Sequence, residues 1–147
     1  IYLIMNLGLF SCLFMMKRND KYYENIDDLS GLSKSHPLIS LSLLIILFSL
    51  AGIPPMAGFF AKFYVFTAVV KESMYFLAIT GLLSTVIAAF YYLRIIKIIY
   101  FDAEKEKYDT DYNIGLKITL SLSTLLILLY FIFPSTLVEI VSRINII

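Results

Sequence analysis

The sequence predicts an all-α, polytopic membrane protein: a single membrane domain of four transmembrane helices, with the second broken at Gly52 to Pro55. Three observations carry that prediction. Of 147 residues, 60% are hydrophobic. Mean hydropathy is +0.85, and the apolar runs are separated by short polar loops, the pattern of a chain that buries its surface in lipid. One apolar stretch is interrupted by Gly52-Ile53-Pro54-Pro55 and carries a lone cation, Lys62.

Charge excludes other classes. The 12 Lys and Arg residues and 11 Asp and Glu residues leave a net charge of +1 and share the same loops. Such a balance makes no basic field of the kind that draws nucleic acid. Cys12 lies inside an apolar run, with no second cysteine and no cluster at metal-ligand spacing, so it reads as a small buried hydrophobe. No metal-binding or cofactor-binding residue is expected in this chain. The first apolar run starts at Ile1, without a basic leader or a small-residue cleavage site, which argues against a secretory signal. A nonstandard start, the continuation of another polypeptide and a trimmed N-terminus all fit that beginning.

The first expected span, residues 1–16, would be about 24 Å long as a helix, short for a hydrocarbon core of about 30 Å. Residues 17–36 mix Asp20, Glu24, Asp27 and Asp28 with Lys17, Arg18, Lys21 and Lys34 and are expected to form surface structure.

The second segment, residues 37–70, would reach about 50 Å if straight, so it must bend or break. Pro54 and Pro55 have no backbone N–H, the residue before a proline is pushed out of the α region, and Gly52 can take positive φ. A first half-helix therefore ends near Ala51 and a second starts near Pro55, where prolines cost little. The last carbonyls of the first half are expected to be free. Such groups are tolerated at membrane depth only in protein or facing water, so the break implies a polar cavity or a neighbour.

Residues 74–97 form the third span, ending at Arg94 and Lys97, whose charges can snorkel. Gly81, Thr85, Ala88 and Ala89 give it a small-residue packing side. After a charged loop comes the fourth span, residues 114–133. Residues 136–147 read as an interfacial tail with Glu139 and Arg143 one turn apart. The lysines and arginines concentrate in the two long loops, which the positive-inside rule places in the cytoplasm or matrix.

Lys62 is nine residues before Lys71, so its Cα lies about 13 Å below that helix end, near mid-membrane. A lysine there costs at least about 2.5–3.5 kcal/mol and should face protein or water. A protonatable group in such a place suits a proton relay; the structural alternative is a static partner for a buried carboxylate or for the open carbonyls at the break. No intramembrane Asp or Glu of this chain is available to pair with it, so a carboxylate partner would come from another polypeptide. Lys117 reads as a snorkelling residue and His36, before Pro37, as a helix-entry residue. Arg94, after Tyr91-Tyr92-Leu93, reads as snorkelling, or as orienting water or a neighbouring helix.

The run Phe48-Ser49-Leu50-Ala51-Gly52-Ile53-Pro54-Pro55-Met56-Ala57-Gly58-Phe59-Phe60-Ala61-Lys62-Phe63-Tyr64 strongly resembles the broken helix of the subunit 2 family (subunit N in bacteria) of NADH:quinone oxidoreductase, respiratory complex I. Glu24-Asn25-Ile26-Asp27-Asp28-Leu29-Ser30-Gly31-Leu32 and Phe90-Tyr91-Tyr92-Leu93-Arg94 resemble the same family's loop and following helix, in the same order. The likeness covers nearly the whole chain. It implies an antiporter-like fold with two inverted repeats, each with a broken helix. The family's key lysine falls on Lys62, and Gly52, Pro54 and Pro55 form the break.

The resemblance further implies proton translocation coupled to NADH:quinone electron transfer, as part of an enzyme whose flavin, iron-sulfur clusters and quinone belong to other subunits. The partners implied are lipid and other complex I membrane subunits. Because only the last four helices of the family are matched, a separate polypeptide is expected to supply the missing N-terminal helices, as from a split mitochondrial gene. The expected location is the mitochondrial inner membrane, with the bacterial plasma membrane as the alternative. Two other functions compete: a subunit of a multisubunit cation/proton antiporter, and a non-conducting scaffold.

Overall fold

A computed structural model describes residues 1–18, 21–22, 25–103 and 113–132. Among them are six α-helices: α1 (Tyr2–Met15), α2 (Leu32–Ser35), α3 (Pro37–Ala51), α4 (Ala57–Lys71), α5 (Tyr75–Phe101) and α6 (Ile114–Ile132). The expected charged loop after α5 and the interfacial tail at 136–147 lie outside the described residues.

Burial follows helical spacing. Met5, Gly8, Cys12 and Met15 face inward on α1, Leu43, Ile46, Leu47 and Leu50 on α3, and Leu120, Ser123, Thr124 and Ile127 on α6. These are the three- and four-residue steps of one helix face. The central helix is α3, which packs on α1, α4, α5 and α6. A Cβ at Gly8 would lie 2.8 Å from Ile46 Cδ1 and 2.9 Å from Ser123 Cβ, so α1, α3 and α6 meet where a side chain is missing. The outer side of α5 is unlike these faces. Phe76, Val86 and Phe90 there are more than half exposed, an arrangement that suits lipid rather than water.

The loop after α1 holds a short antiparallel ribbon, β1 (Lys17–Arg18) with β2 (Lys21–Tyr22). It is the one departure from an all-α chain among the described residues. A 3-10 turn at Ile26–Leu29 follows, where Asp28 Oδ2 accepts the Asn25 N–H at 3.2 Å. Ser30 Oγ then donates to Ala103 O at 2.6 Å and Gly31 N–H to Ile98 O at 3.2 Å. These bonds hold the first long loop against the end of α5.

Two helices, α5 and α6, are long and apolar enough to cross a membrane. The 14 residues of α1 reach about 21 Å, and the 15 residues each of α3 and α4 about 22 Å. The second expected span is thus two half-helices, each too short to cross alone. Where the sequence places the second half near Pro55, α4 starts at Ala57. The intervening Pro54 and Pro55 are taken up in a turn whose joining peptide bond is cis, and Met56 is extended (φ −68°, ψ 157°) as the residue before the helix.

Candidate functional site at the broken helix

The site is built from the last turn of α3 upward. Gly52 takes φ +81°, a conformation costly for residues with a Cβ, and turns the chain out of the helix. Its N–H donates to Phe48 O at 3.1 Å and Ser49 O at 3.0 Å, and the Ile53 N–H donates to Phe48 O at 3.1 Å. That leaves the carbonyls of Leu50 and Ala51. Lys62 Nζ donates to both, at 2.9 Å and 3.2 Å.

These carbonyls lack donors within the first half-helix, as expected, and the contact with Lys62 is the one the static-partner alternative names. They are held by the lysine twelve and eleven residues further on. The contact is favourable twice over: it satisfies acceptors that have no intrahelical donor, and it sets a cation at the negative end of a helix. A Cβ at Gly52 would come 3.0 Å from Lys62 Cδ and 3.2 Å from Nζ, so the glycine also makes room for the lysine.

The half-helices are also joined below the lysine. The Gly58 N–H, an orphan donor in the first turn of α4, donates to Ser49 Oγ at 3.0 Å, and Ser49 is fully buried. A Cβ at Gly58 would overlap the carbonyl oxygen of Ser49. Ser49 and Gly58 carry roles that spacing does not announce. The available signal is a serine inside an otherwise apolar helix and a glycine at the start of the next.

Lys62 is half-buried and stands between two clefts. One, of about 440 Å³, runs along α4 past Phe63 and Thr67 to Lys71 and is closed from the α5 side by Leu82 and Thr85. The other, of about 320 Å³, lies between α1, α4 and α5 and is lined by Tyr2, Met5, Ala88 and Tyr92. Phe60 ties α4 to α6 by an edge contact with Tyr130, ring centroids 5.7 Å apart.

Arg94 is exposed on α5, two residues beyond Tyr92, and lines neither cleft. Pro54 and Pro55 are exposed in the turn. Cys12 is buried in the α1 face of the core. His36, at the start of α3, and Lys117, on α6, line a third cleft of about 410 Å³ beside Met15 and Ser35.

A helix broken at mid-length, with a lysine on its open carbonyls, defines a class: polytopic membrane proteins that carry a charge at a discontinuous helix. The chain belongs to the family described as NADH:quinone oxidoreductase/Mrp antiporter, TM, which matches residues 1–88. It is 80% identical, over its whole length, to NADH-quinone oxidoreductase subunit N of Pelagibacter ubique, covering 31% of that protein. It is 46% identical to subunit N of Parvibaculum lavamentivorans, over 94% of this chain and 29% of that one. The chain spans about a third of the length of these curated relatives. In fold it is similar to a chain of respiratory complex I from Thermus thermophilus with bound aureothin, with a TM-score of 0.74 at 20% identity over 92% of this chain and 33% of that one.

Proposed function

We propose that this chain is a membrane-arm piece of a proton-translocating NADH:quinone oxidoreductase, in which Lys62 takes up and releases the transported proton. The observation that carries the reading is the position of Lys62 Nζ, half-buried on the Leu50 and Ala51 carbonyls where two clefts meet. An ammonium held by carbonyls at the end of a half-helix gains or loses its grip as the two halves move. That ties its protonation to the conformation of the break.

Redox chemistry belongs to other subunits, where flavin, iron-sulfur clusters and quinone reside. Helices beyond this stretch complete the antiporter-like fold; a companion polypeptide from a split gene is one source. The relatives named above are bacterial, which favours a bacterial plasma membrane over a mitochondrial inner membrane. The four-span topology, with the basic loops on the cytoplasmic or matrix side, and a role for Arg94 in orienting a neighbouring helix belong to the same proposal.

The two hydrogen bonds also favour a second reading, in which Lys62 is a static tie for the end of α3. Two substitutions in the assembled complex separate the readings. Arginine can still donate to both carbonyls but does not deprotonate in proteins. A relay predicts that Lys62→Arg and Lys62→Met both lower the number of protons moved per electron in assemblies that still form. A static tie predicts normal pumping in Lys62→Arg and loss of the assembly in Lys62→Met. Full pumping by an assembled Lys62→Met complex refutes the relay. Sodium- or potassium-dependent exchange, without NADH-linked activity in the purified assembly, would instead identify a cation/proton antiporter.

A further inference from the structure

Ser11, Ser40 and Thr124 are buried hydroxyls that each donate to the carbonyl one turn back in their own helix, those of Leu7, His36 and Leu120. Ser49 is used differently. Its hydroxyl oxygen accepts the Gly58 N–H across the break. That bond stands beside the Lys62 contact on both half-helices. On α3, Ser49 immediately precedes Leu50 and Ala51, whose carbonyls take the two bonds from Lys62 Nζ. On α4, Gly58 lies one helical turn before Lys62, so the two residues share a face. The half-helices are thus joined by two adjacent rungs, a neutral one at Ser49 and a charged one at Lys62. The lysine has little room to adjust, since its Cδ and Nζ lie against Gly52, where an added Cβ would stand 3.0 Å and 3.2 Å away.

We infer that Ser49 is a positioning residue for Lys62: its hydroxyl oxygen pins the first turn of α4 to the last turn of α3 and so seats the ammonium on the Leu50 and Ala51 carbonyls. The inference rests on the relay reading of Lys62 and adds the group that fixes the geometry of its acceptors. Without that oxygen, the Gly58 N–H is left in a fully buried joint with no acceptor from Ser49, and the joint is driven to loosen. Lys62 moves with Gly58 because one turn of the same helix connects them. Hydrogen bonds weaken steeply with lost alignment, so a small shift of α4 loosens both bonds from Nζ. An amine released from its carbonyls is also more open to reagents, which makes the shift measurable apart from pumping.

The test uses the assembled complex and two readings: protons moved per electron, and the rate at which acetic anhydride acylates Lys62, followed by mass spectrometry and referenced to the exposed Lys71 on the same helix. Ser49→Ala is expected to lower the proton ratio in assemblies that still form and to speed acylation of Lys62 several-fold relative to Lys71. Ser49→Cys, whose sulfur is only a weak acceptor, is expected to fall between Ser49→Ala and the parent, and it carries the test if Ser49→Ala fails to assemble. Ser40→Ala removes a buried hydroxyl from the same helix without touching the break, and both readings should stay at parent values. Adding Ser49→Ala to Lys62→Met should lower the ratio no further, because Ser49 acts through the lysine. A purely structural clamp would reduce the yield of the assembly and leave its proton ratio unchanged. That unchanged ratio, or a further loss in the double variant, overturns the inference. With pumping lost in Lys62→Met, a parent ratio in Ser49→Ala leaves the relay standing without Ser49. Normal pumping by Lys62→Met removes the relay and the role of Ser49 with it.

Discussion

Gly58→Ala tests the joint between the two half-helices most directly. Gly58 is buried, and a Cβ there would overlap the Ser49 carbonyl oxygen and lie 2.7 Å from the Ser49 carbonyl carbon. Both obstacles are backbone, so neither can swing aside, and α3 and α4 must separate. Overpacking of this kind costs about 1–3 kcal/mol, and backbone obstacles put it at the upper end. Separation also breaks the bond from the Gly58 N–H to Ser49 Oγ, adding about 1 kcal/mol. Alanine's better helix propensity returns at most about 1 kcal/mol. The net expectation is a loss of about 3 kcal/mol.

Gly115→Ala is the internal control. That glycine is exposed on α6, and its added Cβ would meet Asn113 Oδ1 at 3.3 Å. It should be neutral or stabilising by up to about 1 kcal/mol. Reversible unfolding of the chain by SDS in mixed micelles, followed by far-ultraviolet circular dichroism, measures both. A Gly58→Ala variant within about 0.5 kcal/mol of the parent, the range of an inconsequential surface change, would refute the close crossing at Ser49.

Gly52→Ala should cost about 1–2 kcal/mol from positive φ alone, and its Cβ would crowd Lys62. It should therefore lower both the unfolding midpoint and the protons moved per electron; an unchanged ratio would separate the glycine from the lysine's function. Cys12 has no exposed surface, so maleimide should leave it unlabelled in native micelles and label it after SDS unfolding. Rapid native labelling would contradict the packing of α1 into the core.

The break was legible in the sequence because its causes are local. Prolines lack an N–H wherever they stand, Gly52 accepts positive φ without help, and a run of residues 37–70 is too long for one span. The inward faces of α1, α3 and α6 were not legible in this way: these helices are apolar on every side, so packing chose which three- and four-residue steps are buried. A lone lysine inside an apolar run is conspicuous for a local reason: its cost in lipid does not depend on what surrounds it in detail.

What Lys62 touches is a different matter. Its bonds to Leu50 and Ala51 exist because the turn through Pro54 to Met56 returns α4 along the end of α3, and because Gly58 lets the two backbones close on Ser49. The sequence left two partners for the lysine, a carboxylate and the open carbonyls; that the carbonyls are reached depends on the return angle, which neither proline nor glycine specifies alone. The start of α4 at Ala57 was likewise decided by the turn. The seat of the Phe66 ring against Gly81 depends on how α5 lies across α4. Sequence determined where the helix must stop and which charge stands beside the gap; the tertiary fold alone decided which atoms meet there, because those distances are set by packing between segments rather than by the conformational limits of any one residue.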